Sequence, residues 1–128
     1  MEIFKIVTLS ISGLLLFMVG LFRLSQPLKT FLKNSGIELN NDVNLLNEIR
    51  GLSALMMFGG LTIMLGTIWA DMRMSSFVVA SLIFLGFALG RITSMSLDGK
   101  PNKLLVQGLV SELVLGLANL ICLVSAYI

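Results

Sequence analysis

The chain has no histidine. Zinc and haem sites built on imidazole, and acid–base catalysis by histidine, are therefore excluded. Cysteine is almost as scarce: Cys122 stands alone inside an apolar segment, so no intrachain disulfide or C-x-x-C pair can form. These gaps remove the imidazole and paired-thiolate donor sets for a metal or prosthetic group, and no cofactor is expected. Charge is scarce too. Charged residues make up 12% of the chain, against about 25% in a soluble domain, so most of the surface cannot be built for water. The formal net charge of +2 is too small to suggest nucleic acid as a partner, and no basic run with interleaved aromatics is present.

What fills the chain instead is apolar sequence, 56% of the 128 residues. It falls in blocks of about 20 residues, the length that crosses a hydrocarbon core of about 30 Å. The blocks predict spans at about 3–22, 51–70, 76–97 and 104–127. The expected fold is all-α: one integral membrane domain over 1–128, an antiparallel bundle of four transmembrane helices with a short interfacial helix after the first span. The run from Ile6 to Phe22 is longer than a signal-peptide core and is followed by Arg23-Leu24-Ser25-Gln26-Pro27 rather than by a small-x-small site. It is read as a retained first span.

The connections follow from turn and cap chemistry. Ser25 and Pro27 suggest a helix start, with Ser25 as N-cap. Leu28, Phe31 and Leu32 share a face, Lys29 and Lys33 lie away from it, and Gly36 suggests the stop, which is the pattern of a helix lying in the headgroup region. Asn40-Asn41-Asp42 signals a second start, from which Val43 to Ile49 run straight into span two. Residues 71–75 are a short link, and Asp98-Gly99-Lys100-Pro101 reads as a tight turn. Gly13 and Gly20 in span one, Gly86 and Gly90 in span three, and Gly108 and Gly116 in span four permit close helix packing, within the chain or in a homo-oligomer. Lysine and arginine concentrate on the side of residues 23–50 and 98–103, with Lys5 and Arg73 on the other. That imbalance puts the richer side in the cytoplasm and both termini outside.

Four charges break the pattern. A charged group deep in a span costs about 2.5–3.5 kcal/mol on insertion scales. Arg91 lies about 9 Å inside the end of span three, and Glu112 about 12 Å inside the start of span four, at about 1.5 Å per residue. Both depths run from the same membrane side, where Glu48 and Arg50 enter span two. Two positive and two negative charges in one leaflet can neutralise one another. Gly108, Glu112 and Gly116 recur every four residues on one face of span four, with Ser111 and Asn119 alongside. Span three offers Phe87, Arg91 and Met95 with Ser94 and Asp98 adjacent. An Arg91–Glu112 pair between antiparallel neighbours is the geometric expectation. Two readings remain open: a polar clamp that fixes helix register, or a binding site, since arginine offers paired donors to a carboxylate or phosphate. Cys122 is read as a small packed hydrophobe and the methionines of span two as adaptable packing. Trp69 and Tyr127 are read as interfacial aromatics.

Two elements of the chain resemble a known family. Asn47-Glu48-Ile49-Arg50-Gly51 is similar to its N-x-x-R-G element. Gly90-Arg91, Ser94 and Asp98-Gly99-Lys100-Pro101 resemble its G-R-x-x-S-x-x-x-D-G-x-P element. The family is the group of small bacterial membrane proteins known as domain of unknown function 4345. The resemblance implies four spans in the inner membrane and singles out Arg50, Arg91, Ser94 and Asp98. It supplies no activity.

The candidate binding residues are thus Glu48, Arg50, Arg91, Ser94, Asp98, Glu112 and Asn119. The first expectation is a non-enzymatic bundle whose charged cavity, open to one leaflet, binds a lipid headgroup, an anionic small molecule or a protein partner. Membrane lipids are the expected partners, and no catalytic residue is assigned. The alternatives are a small proton-coupled exporter using Glu112, and an intramembrane enzyme acting on a lipid with Glu48, Asp98 and Glu112 as acid–base groups.

Overall fold

A computed structural model describes residues 1–128 and is all-helical. Four helices are long and apolar enough to cross a membrane: α1 (Glu2–Ser25), α3 (Val43–Ile68), α4 (Arg73–Asp98, continuing a one-turn 3-10 segment at Ala70–Met72) and α5 (Lys103–Ser125). The fifth, α2 (Pro27–Ser35), is short and lies between α1 and α3. The four long helices run up and down in chain order. α1 packs mainly on α3, α3 on α4, and α4 on α5. α1 and α5 close the bundle through a sparser contact. The chain is a multi-pass membrane protein.

The helix ends sit close to the sequence signals. α2 starts at Pro27 and stops at Gly36, whose φ of 66° needs a residue without Cβ strain. Ser25 is a correction: it is the last residue of α1, and its hydroxyl donates back to Leu21 O (2.9 Å), while Gln26 takes the cap position of α2. Asp42 caps α3 by accepting from Asn44 N (3.3 Å). α3 therefore begins eight residues before Gly51, outside the apolar run. The turn at 99–102 has Gly99 at φ 106°. Asn102 then caps α5 by accepting from Leu105 N (2.9 Å), and its amide donates to Ser35 O (2.8 Å), pinning α2 to this end of the bundle.

Lipid tails are as apolar as leucine, so close packing and polar links hold such helices together. Glycine supplies the closeness. A Cβ at Gly20 would come within 2.6 Å of Met57 N, and one at Gly60 within 2.5 Å of Phe17 N. Backbone therefore meets backbone along α1–α3. Gly66 receives the side chain of Ser76 from α4, and Gly116 receives Leu85. Gly86 and Gly90 differ: a Cβ at either would meet nothing within 4 Å, so this pair faces outward and packs no helix of the chain. The core holds Leu9, Leu16, Ile63, Phe77, Phe84 and Cys122. Leu55, Leu82, Leu89 and Val114 are exposed on the outside, as a surface facing acyl chains requires.

One buried polar link crosses the sparse α1–α5 seam. Asn119, fully buried, donates to Ser12 Oγ (2.9 Å) and to Leu115 O (2.7 Å). At the end that carries both termini, Arg73 donates to Glu2 (2.6 Å).

Candidate functional site

The opposite end, where α2 and the 99–102 turn lie, contains a cleft between all four long helices. α1 contributes Leu16, Val19 and, two residues from its end, Arg23. α3 contributes Met56, and α4 contributes Phe84, Phe87 and Arg91. α5 contributes Gly108, Ser111 and Glu112. The cleft encloses about 140 Å³. It is apolar on most sides, with its charges at one end.

Arg91 Nε donates to Glu112 Oε1 at 2.6 Å. The pair is largely withdrawn from the surface, with 27% of the Arg91 side chain and 12% of the Glu112 side chain exposed. Only Nε is engaged; neither terminal amino group of Arg91 has a protein partner. Gly108 lies one turn before Glu112, and a Cβ there would meet nothing within 4 Å. Its missing side chain leaves the cleft open beside the carboxylate.

In the sequence Arg23 reads only as an orientation signal. It is the third charge of the cleft, and it brings the local sum to one net positive charge. Its guanidinium carbon lies 4.5 Å from the centroid of the Phe31 ring on α2, a cation–π contact. Its Nε is buried and has no hydrogen-bond partner. The signal available in the sequence is that Arg23 and Arg91 fall at the same end of the bundle, with Arg23 nearer the end of its helix.

The other predicted residues are placed apart from the pair. Arg50 donates to Leu24 O, tying α3 to the end of α1, on an exposed surface. Glu48 is exposed and lines a shallow outer groove of α3 with Asn47, Ile49 and Leu52. The expected four-charge cluster is therefore a correction: α3 turns Glu48 and Arg50 away from the interior that Arg91 and Glu112 share. Ser94 donates to Asp98 (3.0 Å) one turn on, and both are exposed. Ser94 also touches a small recess of about 80 Å³ beneath Pro101, which includes Arg91. Asn119 is seven residues beyond Glu112, about 10 Å along the helix, and belongs to the α1–α5 link.

The sequence was compared with known families. Residues 3–123 match the family described as Domain of unknown function (DUF4345). The chain belongs to this family. No match is found among curated proteins or among solved structures. The DUF4345 match spans every element of the bundle, including the Arg50, Arg91, Ser94 and Asp98 positions. Of these four, only Arg91 lines the cleft beside Glu112.

Proposed function

We propose that this DUF4345 protein is a non-enzymatic binding protein of the bacterial inner membrane, which holds an anionic group in the cleft of Arg23, Arg91 and Glu112. The observation that carries the reading is the half-used Arg91. A purely structural clamp gains most when the arginine fork meets the carboxylate with paired bonds. Here one Nε–Oε1 bond fixes the side chain, and the terminal donors remain available beside an open volume. Arg23 adds a second cation whose buried Nε lacks an acceptor.

The cleft lies at the end that also carries Lys29, Lys33, Lys100 and Lys103. These lysines support placing that end in the cytoplasm even when the arginines of the site are left out of the count. Both termini then face outside. The same lysines raise the local concentration of anions at the mouth.

The test is Arg91→Gln, read by folded yield and by the lipid and small molecules that co-purify. Folded protein of lowered thermal stability that has lost a bound anion is the expected result. Normal yield with unchanged content would overturn the reading, and collapsed yield would favour the clamp alone. Substrate-driven proton flux in vesicles, lost in Glu112→Gln, would overturn it in favour of an exporter.

A further inference from the structure

We infer that the anion is the phosphodiester of a membrane phospholipid, clamped between Arg23 and Arg91 and admitted sideways between α1 and α5. The inference rests on the binding reading above and names its ligand. Four observations support it.

The first is charge. Arg23 and Arg91 against Glu112 leave one positive charge, which a singly charged phosphodiester neutralises. A phosphate monoester, at about −1.5 to −2 near neutral pH, would leave the cleft negative. The second is donor geometry. A phosphodiester has two non-bridging oxygens, and two guanidinium groups from different helices offer donors to both. The Arg23 guanidinium, which lines the cleft and makes no hydrogen bond within the protein, and the free terminal groups of Arg91 are those donors.

The third is depth. α4 has 26 residues, about 39 Å of helix at 1.5 Å per residue, so it overhangs a hydrocarbon core of about 30 Å by a few ångströms at each end. Arg91, seven residues before Asp98, then has its backbone only about 6 Å below the boundary. Its long side chain spans that distance. Arg23 lies higher, two residues from the end of α1. A lipid phosphate already resides at this level and needs to sink by very little. The fourth is the opening. α1 and α5 form the sparse seam of the bundle, and the exposed residues lining the cleft, Leu15 and Ser111, belong to these two helices. Leu15, Leu16 and Val19 continue as apolar wall toward the membrane centre, where acyl chains follow. A cleft of about 140 Å³ has room for a phosphate but leaves the rest of a headgroup projecting into water.

The experiment titrates the detergent-solubilised full chain with defined probes and reads retained adducts by native mass spectrometry. The probes are phosphatidylglycerol and phosphatidylcholine, which share the phosphodiester; dioleoylglycerol, which lacks it; oleate, a carboxylate with a chain; and inorganic phosphate. One molecule of either phospholipid should be retained, and dioleoylglycerol should not. Arg23→Gln, which leaves the Arg91–Glu112 pair intact, should weaken phospholipid retention about tenfold or more, the scale of one charged hydrogen bond. Arg23→Lys should rescue it only in part. Oleate held as well as phospholipid would overturn the phosphodiester assignment while leaving anion binding in place. Inorganic phosphate displacing phospholipid at equal concentration would overturn the membrane source. No anion retained at all would overturn this inference and the proposed function together.

Discussion

Arg91 on α4 and Glu112 on α5 face each other across 2.6 Å, joined through a single guanidinium nitrogen. Removing one partner strands the other's charge among apolar walls, which costs more than the bond itself is worth. Arg91→Gln and Glu112→Gln should each lower stability by about 1–3 kcal/mol, with Arg91→Gln/Glu112→Gln milder than the two losses added. Thermal unfolding in detergent across this double-mutant cycle checks it. Strictly additive losses would mean the pair is not coupled.

The glycines should divide into two classes. Gly60→Ala places a methyl against Phe17 N and Gly13 O, where backbone cannot yield, and should destabilise α1–α3 by about 1–3 kcal/mol through overpacking. Gly86→Ala meets nothing and should stabilise by about 0.5–1 kcal/mol through helix propensity alone. The same melting measurement reads both. Equal effects at the two sites would contradict the packing described.

This division shows what the sequence carried and what it did not. Helix count, order and approximate ends were legible because apolar blocks, Asp42, Gly36 and the 98–101 turn are local signals. The Arg91–Glu112 pair was legible because depth along antiparallel neighbours can be counted. Rotation about each helix axis was not. Glu48 and Arg50 lie at a suitable depth yet point outward, and Gly86-x-x-x-Gly90 has the spacing of a packing face yet packs nothing. Rotation is decided by the sum of contacts along α3 and α4, and no short motif reports it. Arg23 does not stand out in the sequence because a basic residue at a helix end has an ordinary explanation, as an interfacial charge.

The Ser12–Asn119 bond spans the sparse α1–α5 seam. Ser12→Ala should cost about 1 kcal/mol, the net worth of one buried hydrogen bond between neutral groups. It should also speed hydrogen exchange in α5 beyond Leu115, with little change in α3. Uniform change across the helices would count against a local lock.

Orientation is open to chemical labelling. Cys122 is fully buried and should not react with a membrane-impermeant maleimide. Cysteine introduced at exposed Lys100 should stay unlabelled in intact cells and react after permeabilisation. Cysteine at exposed Tyr127 should react in intact cells. The reverse pattern would place the cleft in the outer leaflet.

The most direct measurement is a density map of the protein purified from its native membrane in mild detergent. The account predicts a compact feature within about 3 Å of both the Arg23 and Arg91 guanidiniums, continuing as a chain between α1 and α5. Arg91 turned outward to the acyl chains, or a cleft holding only water between the two arginines, would contradict it.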